Sequence, residues 1–218
     1  MDDTLDSLYL INYREVGGLP LRSITRLPEA EANALAHQLA QVSLSRNNRY
    51  RDGFWEGYYR NRLRCETWLY DAFTIQGGVP QTCHPIYFTL QESAGLSGFF
   101  GTGDFVKLPL RDIDPLHVSF TPRDSMHIHH MGLPGPDCYG HAAPEDWSMA
   151  LLSSRIPEDG NAMLEYAGRA VWDKAALGRL FERFGGSDAA AFAAGIPAAF
   201  AQPGGYIEAQ LWSDIYFA

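Results

Sequence analysis

The chain has 218 residues, a formal net charge of −9 at pH 7, 46% hydrophobic residues and 20% charged residues. That length predicts a single domain that buries its own core without disulfide support, and the composition excludes an intrinsically disordered chain. The acidic balance excludes a protein that coats nucleic acid with its whole surface, because phosphate binding needs an excess of cations. A local basic groove remains compatible with these numbers.

No targeting segment is apparent at the amino terminus, where Asp2 and Asp3 stand in place of the basic residues of a signal peptide. The most apolar stretch, residues 189–201, is interrupted by glycine and proline and is shorter than the roughly 20 residues that span a bilayer. Three cysteines are too few for a disulfide framework. We therefore expect a cytoplasmic protein that does not bind a membrane.

The first third of the chain is predicted to be helical after an extended or irregular start of about 25 residues. Pro28 suits the first position of a helix, and leucine and valine then recur at i, i+4 and i+7 spacing up to Val42. A longer helix is predicted from about Asp52, a suitable N-cap, to Ile75, just before two glycines. Residues 1–80 therefore form a mostly helical N-terminal part.

Strand patterns dominate the rest of the chain. Apolar runs bounded by proline, glycine or aspartate predict strands at 84–90, 105–108, 116–121, 149–153, 166–172 and 206–212. A short helix is predicted after Asp173, which can cap it, and an alanine-rich helix at 187–194. The order predicts an α+β fold: the helical part packs on a mostly antiparallel, split β-sheet core with short helices in residues 81–218, and both parts form one domain.

Four of the seven histidines fall within 15 residues, and a cysteine stands among them. Imidazole and thiolate together suit Zn²⁺, so the segment is a candidate zinc site in a structural or interaction protein. The spacing lacks the paired Cys-x-x-Cys of a zinc ribbon, and neighbouring glycines and prolines equally predict a polar surface loop. The residues of this histidine cluster are His127, His129, His130, Cys138 and His141.

A basic and aromatic segment covers residues 46–64, with six arginines against two acidic residues, a local balance of +4. Arginines interleaved with aromatic rings bind phosphates and stack on bases, which predicts a nucleic-acid- or nucleotide-binding module. The residues assigned to that role are Arg49, Tyr58, Arg60 and Arg62. Two alternatives remain: a solvated helix face, in which Arg62 and Glu66 pair at i, i+4 spacing, and a pocket for a dinucleotide or a single phosphate.

Two strands carry polar residues in unusual positions. Ser119 and Thr121 share one face of their predicted strand, because side chains alternate along a strand. Glu208 stands between apolar residues of the last predicted strand, and a carboxylate near an apolar core needs partners. It therefore either pairs with an arginine or faces a site.

Three segments occur in an order that resembles the signature of the ADP-ribosyltransferase fold: an aromatic and histidine strand at 84–89, a Ser/Thr strand at 118–126, and a glutamate near the carboxyl terminus at 206–208. Within the second segment, Phe120-x-Pro122-Arg123-x-x-Met126 is similar to a pattern of the DarT-type enzymes, which ADP-ribosylate DNA. The resemblance implies an NAD-dependent ADP-ribosyltransferase, such as a toxin or defence effector, with NAD as substrate and a nucleic acid or protein as acceptor.

The resemblance also implies a role for individual residues. Glu208 is the catalytic carboxylate, which opposes the positive charge that develops on ribose when the bond to nicotinamide breaks. Arg123 joins it in the catalytic set and pairs with the diphosphate. The four remaining NAD-binding residues, two for the nicotinamide and two for the ribose, are His84, Tyr87, Ser119 and Thr121.

Overall fold

The computed structural model describes residues 5–14, 21–42, 49–101, 104–134, 146–202 and 205–217. Within these ranges the chain forms five strands and eight α-helices. The strands are β1 (Tyr9–Tyr13), β2 (Ile86–Leu90), β3 (Phe105–Pro109), β4 (Val118–Thr121) and β5 (Ile207–Leu211). The helices are α1 (Glu29–Val42), α2 (Trp55–Ile75), α3 (Ala94–Phe100), α4 (Ser125–Met131), α5 (Met149–Ser153), α6 (Glu158–Ala167), α7 (Lys174–Phe184) and α8 (Ala189–Ala199).

The five strands form one antiparallel sheet in the order β3-β1-β2-β5-β4. The last strand, β5, lies between β2 and β4, which places Glu208 opposite Thr89 on one side and opposite Thr121 on the other. The predicted α+β fold with a mostly antiparallel sheet is confirmed. The predicted split is not observed within the described ranges, since all five strands belong to one sheet.

The sheet has an apolar face and a polar face, because successive residues of a strand point to opposite sides. On the apolar face Phe88, Phe120 and Ala209 lie in register on three neighbouring strands, and all three are buried. The opposite face of the same strands carries polar side chains. These are Tyr87, Thr89, Ser119, Thr121, Glu208 and Gln210.

Helix α2 packs on the polar face of the sheet. The Glu66 carboxylate accepts a hydrogen bond from the Tyr87 hydroxyl, and the Arg62 guanidinium lies over the ring of the same tyrosine. A small hydrophobic cluster, distinct from the main core, joins the start of α2 to α1. It consists of Ala32, Ala36, Leu39, Tyr50 and Trp55. The cluster therefore holds the start of α2 against α1.

Most of the predicted helices are confirmed. The two long helices near the amino terminus are α1 and α2. The cap predicted for α7 is present, because Asp173 Oδ1 accepts a 2.6 Å hydrogen bond from the backbone N–H of Ala176. The alanine-rich helix, α8, extends to Ala199. No helix within the described ranges combines the length and the apolar composition needed to cross a membrane.

Two strand predictions are wrong, and one strand was missed. Residues 149–153 form α5, because a five-residue apolar run fits one helix face as well as a strand and the Ser148 hydroxyl caps the helix at Leu151 N–H. In residues 166–172, Tyr166 and Ala167 are the last two residues of α6, and Trp172 forms an isolated bridge with Phe120. Residues 9–13, expected to be extended or irregular, form β1 inside the sheet.

Candidate functional site

A cavity of about 380 Å³ lies between the polar face of the sheet and the arginine-rich part of α2. Its size is within the range of small-molecule sites. Glu208 of β5 and Tyr87 of β2 line it from the sheet, and Arg62 lines it from α2. Asp124 and Tyr206 complete the wall around Glu208. The cavity therefore brings two carboxylates, a guanidinium and two phenols together.

Glu208 is 4% exposed, and its carboxylate is held in place by two donors. Oε1 accepts a 3.2 Å hydrogen bond from the backbone N–H of Ser125 and a 3.1 Å hydrogen bond from Gln210 Nε2. Burial, and then the negative charge of Asp124, raise the pKa of Glu208 to about 7, against the opposing influence of Arg62 and the two hydrogen bonds. The carboxyl group therefore exchanges its proton near neutral pH, as a general acid or base must.

The pKa of Asp124 shifts in the opposite direction from that of Glu208. Asp124 caps α4 by accepting a 3.2 Å hydrogen bond from His127 N–H at Oδ1, and Oδ2 accepts one of 3.1 Å from the Tyr206 hydroxyl. Burial alone would raise the pKa of Asp124, but Arg62 and then His127 lower it below its ordinary value. Two neighbouring carboxyl groups with separated pKa values are typical of sites that carry out acid–base chemistry.

Arg62 is the cation that faces both carboxylates. Its guanidinium carbon lies 4.3 Å from the centroid of the Tyr87 ring and 5.9 Å from that of Tyr58. Burial alone would lower the pKa of Arg62, but Tyr58, Tyr87, Glu208 and Asp124 together raise it well above its ordinary value. The side chain therefore keeps its positive charge throughout the accessible pH range.

Aromatic rings and guanidinium groups alternate along one wall of the cavity. The Arg49 guanidinium carbon lies 5.8 Å from the Tyr58 ring centroid and 5.9 Å from that of Phe100. The succession is Phe100, Arg49, Tyr58, Arg62 and Tyr87, and all five residues line the cavity. We call it the cation–π wall. Planar rings and bidentate cations are the groups that hold bases and phosphates.

The cavity brings together residues that the sequence assigned to two different hypotheses. Glu208 and Tyr87 come from the predicted NAD site, and Arg49, Tyr58 and Arg62 from the predicted nucleic-acid-binding segment. Because α2 packs on the strands that carry Glu208 and Tyr87, both sets line one cavity. A single ligand can therefore contact both.

Ser119 and Thr121 lie beneath the cavity and are completely buried. The Ser119 hydroxyl donates a 2.9 Å hydrogen bond to Gln210 Oε1, and Gln210 Nε2 donates one of 3.2 Å to Thr121 Oγ1. The same amide nitrogen reaches Glu208. The two hydroxyl groups therefore fix the orientation of Gln210, which in turn holds the carboxylate.

Three further residues predicted from the sequence lie outside the set that lines the cavity in the described structure. His84 Nδ1 lies 2.6 Å from Glu66 Oε2. Arg123 Nη1 donates a 2.8 Å hydrogen bond to the backbone carbonyl of Phe200. Arg60 is exposed on α2. His84 and Arg123 therefore make protein contacts close to the site.

The described histidines of the histidine cluster have separate surroundings. His127 is exposed beside Asp124 at the cavity, and His129 is buried against Trp68, with ring centroids 5.3 Å apart. Burial, and then His130 and Arg64, lower the pKa of His129 to about 4. The described residues contain no group of three or more metal-binding side chains. Three residues singled out from the sequence lie outside the described ranges: Arg46, Cys138 and His141.

Sequence reasoning missed Glu66 and Asp124 as site residues. The spacing of Glu66 is a signal in the sequence, because it lies seven residues after Tyr59 in an otherwise apolar stripe on α2. The other members of that stripe are Tyr59, Leu63, Tyr70 and Phe73. A carboxylate in such a position needs buried donors, which Tyr87 of β2, His84 just before β2 and Thr25 supply.

Comparisons of the chain with protein-family models, with curated proteins and with solved structures give no match. What the chain does is therefore inferred from the chemistry of its cavity. That chemistry consists of an ionisable carboxylate, a second carboxylate with a lowered pKa, and a wall of cations and rings.

Proposed function

We propose that the chain is an NAD-dependent ADP-ribosyltransferase with Glu208 as its catalytic carboxylate. One observation carries the proposal: the three segments that resemble the family signature fall on β2, β4 and β5, which are neighbours in the sheet. Glu208 lies on the middle strand of the three and lines the cavity. Its neighbours across the strands, Thr89 and Thr121, are on the same face.

The reaction breaks the bond between the nicotinamide nitrogen and C1′ of the ribose. The bonding electron pair moves to the nicotinamide ring, and positive charge develops on the ribose as in glycoside hydrolysis. Ionised Glu208 opposes that charge. The acceptor then forms its bond to C1′ and loses a proton, which Glu208 takes because its pKa is raised to about 7.

The cation–π wall supplies the binding surface for the rest of NAD. Arg49 and Arg62 provide guanidinium groups for the diphosphate, and the rings of Tyr58 and Tyr87 provide planes for stacking. Under this proposal Ser119 and Thr121 act through Gln210 on Glu208, in place of the direct ribose contacts that the resemblance implies.

The proposed acceptor is a macromolecule, either a nucleic acid or a protein. The similarity to DarT-type enzymes favours a toxin or defence effector that works in the cytoplasm. Zinc remains a sequence-based alternative for the histidine cluster, and metal analysis of the purified protein decides it, since a structural site holds close to one ion per chain.

Calorimetry and thermal melting test the proposal. NAD should bind, and it should raise the melting temperature because a ligand that binds only the folded state stabilises it. Glu208→Gln should bind NAD and lose turnover, whereas Glu56→Gln, a substitution of an exposed glutamate on α2, should keep both. Absence of NAD binding by the wild-type protein would contradict the proposal.

A second candidate function is favoured by the cation–π wall: binding of a single nucleic-acid strand through stacking and phosphate contacts. In that case a single-stranded oligonucleotide should bind with an affinity that falls steeply as salt rises. Arg49→Ala should weaken this binding, and Glu208→Gln should leave it unchanged or strengthen it by removing negative charge. Binding that is absent, or independent of salt, rejects this candidate.

A further inference from the structure

Glu66 is a completely buried carboxylate with three side-chain donors around it. Oε1 accepts a 3.0 Å hydrogen bond from the Tyr87 hydroxyl and one of 3.1 Å from Thr25 Oγ1, and Oε2 lies 2.6 Å from His84 Nδ1. A buried carboxylate is stable only when donors satisfy it. Tyr87 lies on β2, His84 just before β2, and Thr25 in the segment before α1, so Glu66 ties α2 to two separate segments of the chain.

Tyr87 connects this carboxylate to the cavity. Its hydroxyl is bound to Glu66, and its backbone carbonyl accepts a 2.8 Å hydrogen bond from Asn12 Nδ2. Both ends of the residue are therefore fixed. The face of its ring packs against the Arg62 guanidinium at 4.3 Å, the shortest cation–ring distance on the cation–π wall.

Arg62 depends on this ring for its position. Its hydrogen bond to Ser125 Oγ is long, at 3.4 Å, and its distance to the Tyr58 ring is 5.9 Å. Of the two rings that the guanidinium faces, the Tyr87 ring is therefore the closer. From there the guanidinium acts on Glu208, whose pKa it lowers.

We propose that Glu66 is a positioning residue, which anchors the Tyr87 ring under Arg62 and so keeps the guanidinium facing Glu208. This positioning role rests on the proposed function, because it bears on catalysis only if Glu208 is the catalytic carboxylate. It concerns α2 and its contacts, which lie outside the three segments that resemble the ADP-ribosyltransferase signature. Glu66 contacts neither reactant and acts only through Tyr87.

The direction in which the titration midpoint of Glu208 moves when Glu66 is removed distinguishes a positioning role from a simple charge effect. As a charge alone, Glu66 makes the surroundings of Glu208 more negative, so its removal should favour the ionised carboxylate and lower the titration midpoint. As a positioning residue, its removal frees Arg62, weakens the stabilisation of ionised Glu208 and raises the midpoint. The groups that face or surround Glu208 are Arg62 and Cys65 of α2, Tyr87 of β2, Asp124 and the Ser125 N–H before and at the start of α4, Tyr206, and Gln210 of β5.

Carbon-13 NMR of labelled glutamate carboxyl groups measures that midpoint without any turnover. The Glu208 resonance is assigned by its loss in Glu208→Gln. Glu66→Ala and Tyr87→Phe should each raise the midpoint by about 0.5 or more. Glu66→Gln, which keeps an acceptor for the Tyr87 hydroxyl, should move it less than Glu66→Ala. The exposed Glu56→Ala on the same helix should leave it unchanged.

Each outcome has a defined meaning. A midpoint that stays constant or falls in Glu66→Ala overturns the positioning role, whatever happens to the melting temperature. A raised midpoint in a protein that does not bind NAD supports the positioning role while the proposed function fails. If Glu66→Ala does not fold, Tyr87→Phe provides the same test, because it removes one hydroxyl and retains the ring.

Discussion

Gln210 lies two residues after Glu208 on β5, and its Nε2 donates a 3.1 Å hydrogen bond to the Glu208 carboxylate. Its own orientation is fixed by the Ser119 hydroxyl, which in turn accepts a 2.9 Å hydrogen bond from Trp212 Nε1. A chain of buried polar groups therefore leads from the hydrophobic core to the site. Such networks are rigid when every polar group in them has a hydrogen-bond partner.

Replacing Gln210 tests this chain. Gln210→Ala removes a hydrogen bond that favours ionised Glu208, so the pKa of Glu208 should rise further and the ionised fraction at pH 7 should fall. We expect turnover of NAD at pH 7 to fall by about tenfold and to recover partly at higher pH. Initial rates at several pH values measure this. Gln38→Ala, on the exposed face of α1, is the control and should match the wild type.

The pH dependence of turnover follows from Glu208 itself. Its pKa is raised to about 7, first by burial and then by Asp124, and in the proposed reaction only the ionised form opposes the charge on ribose. The rate should therefore rise with pH and level off above about 7. Asp124 and Tyr206 keep one charge state across this window, because the pKa of the first is lowered and that of the second is raised. A rate that stays constant from about pH 5 to about pH 9, a range that includes this transition, would contradict the role of Glu208.

His127 lies at the same cavity and is exposed, so its contribution to the pH profile must be separated from that of Glu208. The variant His127→Gln serves this purpose. It should keep the rise of turnover near pH 7, because Glu208 is unchanged. Loss of the pH dependence in this variant would contradict the assignment of the profile to Glu208.

Glu208 should also make folding pH-dependent. Its folded-state pKa of about 7 exceeds the unfolded value of 4.5, so the folded state binds more protons between these values, and stability falls as pH rises through that window. Glu208→Gln removes this penalty. Its free energy of unfolding should exceed that of the wild type by about 3 kcal/mol at about pH 8 and match it near pH 4. Urea unfolding at both pH values measures the difference, and equal destabilisation at both would count against a buried, ionisable Glu208.

The cation–π wall should determine affinity. Arg49→Ala removes a cavity cation together with its contacts to Tyr58 and Phe100, and we expect NAD affinity to fall by about tenfold or more. Arg60→Ala removes the same charge from the exposed side of α2 and is the matched control. Calorimetric titration compares the two variants. An equal loss in both would indicate a general charge effect instead of direct contact.

The predicted cap of α7 allows an independent test of the fold. Asp173→Ala removes the acceptor for Ala176 N–H at the first turn of the helix. The expected loss is about 1 kcal/mol of unfolding free energy, the usual cost of losing an N-cap. Denaturant unfolding measures it, and turnover per folded molecule should stay unchanged because α7 does not line the cavity in the described structure. A loss well below this value would mean that the cap contributes little here.

The sequence predicts elements best where length and periodicity agree. The apolar stripe of α2 and the capped start of α7 leave little choice of structure. The five residues of α5 are ambiguous, because a run that short fits a helix or a strand. The Ser148 cap favours the helix. β1 was missed because it pairs with residues about 80 to 100 positions later in the chain, a contact that local pattern does not reveal.

The residues of the site also differ in how well the sequence predicts them. Glu208 is visible in the sequence because a carboxylate between apolar strand residues demands an explanation. Glu208, Arg49 and Arg62 meet in one cavity because α2 and the residues just before it pack beside the sheet, which no local pattern encodes. For the same reason the resemblance implies ligand contacts for Ser119 and Thr121, although both hydroxyl groups bond to Gln210 of β5.

The most direct test of the central claim is the rate of nicotinamide release from NAD, measured for the wild type and for Glu208→Gln under saturating NAD at about pH 8, above the raised pKa of Glu208. The claim predicts release by the wild type and a rate at least about a hundredfold lower in the variant, with NAD still bound and the fold intact. Equal rates in both proteins, or no release by a wild-type protein that binds NAD in the presence of candidate nucleic-acid and protein acceptors, would contradict it.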